Sequence, residues 1–165
     1  MLDTLSSTVF LTAMSVWLGG VVFFSFFTAP VIFERLPRNQ AADLISVIFP
    51  RYYNLGYVCG TLMIISGFYP VWLEPTGKMA WLSWGLAFLA TALSAYAGKV
   101  VMPRVRRHRQ TAASSAGTAE HPRNLSAYNR SHQLSVTLNS TVLILLITQA
   151  LIYGYRVRFI VTGEG

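Results

Sequence analysis

Residues 4–33 read TLSSTVFLTAMSVWLGGVVFFSFFTAPVIF, thirty consecutive positions without an Asp, Glu, Lys or Arg. About 20 apolar residues suffice for a helix to cross the hydrocarbon core of a bilayer, so this stretch alone sets the class of the chain. The pattern recurs: residues 52–73, 79–98 and 131–155 are charge-free as well. Four spans, at about residues 5–33, 52–73, 79–101 and 131–155, occupy most of the 165 residues. The first stretch is too long for the apolar core of a signal peptide, and no basic residue precedes it, so it is expected to be retained as a span.

Composition agrees with this reading. Hydrophobic residues make up 53% of the chain and charged residues 12%, with a mean hydropathy of +0.48, against about 25% charged in a soluble domain. A soluble enzyme, a nucleic-acid module and a disulfide scaffold are disfavoured together, and the lone Cys59 allows no internal disulfide. The expected fold is an all-α integral membrane four-helix bundle forming a single domain over residues 1–165.

The net charge of +7 is unevenly placed. Arg35, Arg38 and Arg51 lie around the first connection, and Lys99, Arg104, Arg106, Arg107, Arg109, Arg123 and Arg130 around the third. Only Lys78, Arg156 and Arg158 fall on the other side. Cytoplasmic loops carry the Lys/Arg excess, which predicts cytoplasmic first and third connections, both termini outside, and residence in a bacterial inner membrane.

Between Pro37 and Pro50, Ala41, Leu44, Ile45 and Ile48 repeat at helical spacing among polar residues. That spacing predicts a short amphipathic helix lying in the cytoplasmic interface over residues 38–49. Residues 104–130, basic at first and then small and polar, read as a mobile cytoplasmic loop. Arg104, Arg106, Arg107 and Arg109 leave span 3 together and are the predicted contacts for anionic lipid. Small residues should pack the spans closely: Gly56, Gly60 and Gly67 in span 2, Ala87, Thr91, Ser94 and Gly98 in span 3, and Gly19–Gly20 in span 1.

Polar groups inside spans carry the most functional information, because burying them in hydrocarbon is costly. His132, Ser135 and Asn139 stand at i, i+3 and i+7 on span 4, on one helical face. Arg51, Tyr52 and Tyr53 enter span 2 at the same membrane level. These six residues form the candidate ligand site, with His132 central because imidazole changes charge near neutral pH. The competing reading is hydrogen-bonded packing between helices. His132 is also a candidate metal ligand, as are Cys59 and Met63, whose soft sulfurs sit at i and i+4. No Walker A, Gly-x-Ser-x-Gly, His-Glu-x-x-His or Cys-x-x-Cys pattern occurs, and the chain reads as non-enzymatic.

Several pieces of the sequence resemble the transmembrane protein 205-like membrane proteins, a group carrying a domain of unknown function. They are Trp17-Leu-Gly-Gly20, Leu36-Pro-Arg38, Phe49-Pro-Arg-Tyr-Tyr53, Pro103-Arg104 and His132-x-x-Ser135-x-x-x-Asn139. The resemblance implies a four-span integral membrane protein and, through the vertebrate member, a link to drug tolerance. A more distant likeness to copper-resistance D proteins and to the membrane-bound protoporphyrinogen oxidase implies copper or haem, for which only His132 is available as an intramembrane imidazole. Three functional readings therefore stand. The chain is a transporter or tolerance factor for a small molecule or soft metal, an accessory subunit docked to other membrane proteins, or a haem- or copper-associated redox protein.

Overall fold

The computed structural model describes residues 2–73, 75 and 77–162, with side chains described through Tyr155. The side chains of Arg156 and Arg158, part of the charge tally above, lie outside the described residues. Among the described residues every regular element is helical. In chain order these are α1 (Leu2–Phe23), a π-helical turn (Phe24–Thr28), α2 (Ala29–Arg35), α3 (Arg38–Leu73), α4 (Lys78–Tyr96), a second π-helical turn (Ala97–Val101), α5 (Met102–Ser114) and α6 (His121–Thr162). They join into four long rods, Leu2–Arg35, Arg38–Leu73, Lys78–Ser114 and one beginning at His121, each long and apolar enough to cross a membrane. The rods pack in sequence order, and the first also touches the last, so that the four-helix bundle closes.

The rods overrun the bilayer. At 1.5 Å per residue, the 36 residues of α3 span ~54 Å, against ~30 Å of hydrocarbon. The excess lies largely at the basic end, where the start of α3, α5 and the start of α6 run together beyond the charge-free stretches. Two expectations are corrected here. The segment 38–49 is not a separate interfacial helix but the first part of α3. Residues 104–130 are not a loop either: α5 and the start of α6 cover them, joined by the short turn through Ser115–Glu120.

The backbone at Pro50 explains the first correction. Proline has no N–H, so the carbonyl four residues back loses its helical partner. That carbonyl belongs to Ser46, and the Arg106 guanidinium from α5 donates to it. The same device recurs at the far end of α3. Pro70 strips the Ser66 carbonyl, and Ser6 Oγ from α1 donates to it at 2.6 Å. With both freed carbonyls served from neighbouring helices, α3 passes through two internal prolines without stopping.

The prolines of the other rods are handled differently. Each π-turn ends two residues before a proline, Pro30 or Pro103. In each, the last bond skips an extra residue, from Ala29 N–H to Phe24 O and from Met102 N–H to Ala97 O. A widened turn relieves the clash between a proline ring and the preceding turn.

Close packing follows the small residues. A Cβ on Gly60 would overlap the Thr91 side chain, and one on Gly56 would stand 3.0 Å from Trp17 Nε1 and 3.1 Å from Ser94 Oγ. Gly20 meets Leu55, whereas Gly19 has nothing near it. The central core holds Met14, Trp17, Val21, Cys59, Met63, Val142 and Leu146. At the end opposite the arginines, Trp72 and Trp81 are exposed, and Trp81 Nε1 donates to the Pro75 carbonyl at 2.9 Å, as expected of rings at a membrane–water boundary.

Candidate functional site

Both π-turns lie at the same depth, and between them sits a cluster of aromatic rings. Phe24 of the first turn packs 5.4 Å from Phe49 and 5.1 Å from Tyr52. Tyr53 stacks between Phe49 at 5.8 Å and Tyr57 at 6.4 Å, with Tyr52 edge-on at 5.3 Å. The second turn contributes Gly98, where a Cβ would overlap the Tyr57 hydroxyl and stand 2.7 Å from Tyr53 Cγ. Glycine at this position lets two tyrosine rings rest directly on the backbone of the third rod.

Tyr53 links the aromatic cluster to polar groups on α6. Asn139 Nδ2 donates to Tyr53 Oη at 3.2 Å and to the Ser135 carbonyl of its own helix at 3.0 Å. Ser135 and Tyr53 are both buried. Rods two and four are diagonal in the bundle, so this contact reaches across its centre rather than along a helix seam. Of the six expected site residues, the structure thus brings Tyr53, Ser135 and Asn139 together, with Tyr52 packed alongside.

Arg51 and His132 are placed elsewhere. Arg51 is exposed, with a 3.4 Å contact from Nη1 to the Val47 carbonyl of its own helix. His132 is exposed too and stacks on Tyr128 at 5.9 Å. It borders an open cleft of about 1000 Å³ whose rim includes Arg38 and Arg109. The helical spacing did align His132 with Asn139, but at its level this cleft takes the place of a facing helix.

The basic strip divides. Arg106 caps Ser46, and Arg109 pairs with Asp43 at 2.9 Å while donating to the Asn39 carbonyl at 3.0 Å. Arg104 and Arg107 stay exposed. Between α3 and the third rod, a cleft of about 570 Å³ is bordered by Lys99, Arg106 and Arg107.

A second polar region, which the sequence reading did not assign to a site, lies toward the opposite end. Gln149 is 1% exposed, and its Nε2 donates to Ser83 Oγ while Oε1 has no partner. Ser83 borders a cavity of about 40 Å³ together with Ser6, Ser66 and Tyr153. A cavity of that size can hold one or two water molecules. The position of Gln149 on the inward face, two heptads and nearly four turns beyond Ser135, was the available signal.

Among the described residues, no three His, Cys, Asp or Glu side chains gather closely enough to hold a metal ion. His108 Nδ1 is 3.2 Å from Ser131 Oγ, and His121 Nδ1 is 3.1 Å from the Ala112 carbonyl, so neither pairs with His132. Cys59 and Met63 are buried in the central apolar core with Met14.

Fold and site together define an integral membrane four-helix bundle with polar groups buried on either side of an apolar middle layer. The chain belongs to the family described as Domain of unknown function (DUF4149), which matches residues 12–114. It is also similar to an uncharacterized protein of Aquifex aeolicus (strain VF5), 28% identical over 147 residues, which cover 88% of this chain and 95% of that one. No solved structure matches. The family match takes in the first rod from residue 12, the second and third rods, both π-turns and Tyr53; Ser6, Ser135, Asn139 and Gln149 lie outside it.

Proposed function

We propose that this protein is a non-enzymatic conduit for a small polar solute, which enters the bundle at the basic end through Tyr53, Ser135 and Asn139. The observation that carries this reading is the order of inward-facing residues along α6. Ser135 and Asn139 come first, then Val142 and Leu146 at 2% and 1% exposure, then Gln149 against Ser83. Two polar regions are therefore separated by one sealed apolar layer, the arrangement of a constriction that gates by excluding water. The π-turns and prolines beside the Tyr53 region are where long helices bend, and a bend there would shift the facing walls. Neutral donors and acceptors suit an uncharged polar molecule better than a soft metal.

The positive-inside rule supports placing the basic end in the cytoplasm and both termini outside, in a bacterial inner membrane. The resemblance to transmembrane protein 205-like proteins adds a role in tolerance, with the solute leaving the cell. The test is osmotic swelling of proteoliposomes in glycerol and in urea. Leu146→Ala, which thins the apolar layer, is expected to raise uptake, and Asn139→Leu to abolish that increase. If neither the wild type nor Leu146→Ala exceeds protein-free vesicles, the conduit reading is wrong.

A second reading, an accessory subunit, is favoured by the exposure of the first rod. Only 11% of its most apolar window is buried, against 33% in the second and third. A subunit would leave native membranes in fixed stoichiometry with other membrane proteins after mild solubilisation, and a conduit would leave them alone.

A further inference from the structure

The cleft between α3 and the third rod has a chemistry distinct from the interior. Lys99, Arg106 and Arg107 border it, and none of its bordering residues is acidic. Its wall is aromatic: Lys99 Nζ stands over the Tyr57 ring, 5.5 Å from the centroid, and Tyr53 lies behind. Arg106 spends one N–H on the Ser46 carbonyl, and a guanidinium has five. The ion pair among the described residues, Arg109–Asp43, takes a different arginine. Three cations therefore border one cleft that no carboxylate lines; Asp43, which shares the neighbouring cleft with Arg106, is paired with Arg109, and this is the chemistry of an anion site.

Depth and surroundings say which anion. The cleft opens where the charge-free stretch of α3 begins, after Arg51, and where that of the third rod ends, at Lys99. That is the level of phospholipid headgroups. From Asn54 at its edge, Val58 and Ile65 follow at i+4 and i+11 on one face of α3, and they are 60% and 67% exposed. An exposed apolar track thus runs from the cationic cleft toward the middle of the membrane. We infer that the cleft is a binding site for an anionic phospholipid, with its phosphate held by Lys99, Arg106 and Arg107 and its acyl chain laid along Val58 and Ile65. The sequence alone pointed to Arg104–Arg109 as a lipid-facing strip; the geometry adds Lys99 and Tyr57 and turns Arg109 to Asp43.

Native mass spectrometry of the full chain, extracted in mild detergent and supplied with phosphatidylglycerol or phosphatidylcholine, tests the site. One phosphatidylglycerol per chain is expected to be retained in preference to phosphatidylcholine. A basic residue beside an anionic surface contributes about a fivefold preference, so Lys99→Gln/Arg107→Gln should weaken retention on the order of thirtyfold. Arg123→Gln/Arg130→Gln, of equal charge change and away from the cleft, should leave it nearly intact. Lys99→Arg/Arg107→Lys keeps the charges and should keep the lipid, which separates charge from folding should the glutamine variant not fold. Equal loss in the Arg123/Arg130 variant would mean a diffuse field and no site. Displacement of the lipid by millimolar inorganic phosphate would assign the cleft to a soluble anion and overturn the lipid assignment.

Discussion

The hydrogen bond from Ser6 Oγ to the Ser66 carbonyl should exist for one reason, the missing N–H of Pro70, and that makes it separable by a double-mutant cycle. Ser6→Ala leaves a partly buried carbonyl without a donor at the end of α3. An unsatisfied buried group costs about 1–3 kcal/mol, and interhelical hydrogen bonds in membranes average about 0.6 kcal/mol, so a loss of ~1 kcal/mol is expected. Pro70→Ala restores a backbone N–H four residues beyond Ser66, which returns the helical partner. In that background Ser6→Ala should cost only a few tenths of a kcal/mol, leaving a coupling of about 0.5–1 kcal/mol. Four proteins suffice: wild type, the two single variants and the double, unfolded by mixed-micelle denaturant titration and followed by tryptophan fluorescence. Strict additivity, with the same loss in both backgrounds, would refute the capping argument and reduce the 2.6 Å contact to coincidence.

Three other outcomes are expected in the same assay. Gly60→Ala should lose about 1–3 kcal/mol by overpacking, because its Cβ falls on Thr91; Thr91→Ala should restore most of that. Ser83→Ala should destabilise by about 1–3 kcal/mol by unpairing Gln149, while Ser83→Ala/Gln149→Leu should be close to neutral because both polar partners go. His132→Phe should shift stability by no more than about 0.5 kcal/mol, as for other exposed positions; a larger loss would show that the imidazole packs as an interhelical contact.

The charge-free windows made the four spans legible, because a bilayer tolerates no unpaired charge and marks its boundaries in composition. The small-residue stripe was legible for a related reason: Gly56, Gly60 and Gly98 are small where a neighbouring side chain must come close. Helix ends were not. A window rule reports where hydrocarbon stops, whereas α3 and α5 continue into water on contacts such as Arg106 to Ser46, sixty residues apart. Read as lipid-facing charge, Arg106 and Arg109 hid the packing role that makes residues 102–114 helical; Val105 and Ala112, seven apart and both buried, were the available hint. In the candidate site, periodicity correctly aligned Ser135 with Asn139, and Tyr53 was found by level. It put His132 on the same face, where the side chain is exposed, because periodicity describes one helix and says nothing about whether another stands opposite.

The two proline caps of α3 also order events during membrane insertion. Ser6 lies in α1, which is made before α3, so a donor is already present when Pro70 brings its bare Ser66 carbonyl into the bilayer. The donor for Ser46 is translated much later, with Arg106, but that carbonyl sits at the basic end, where water can serve until the arginine arrives. The chain thus supplies one cap of α3 from a helix made before it and the other from a helix made after it.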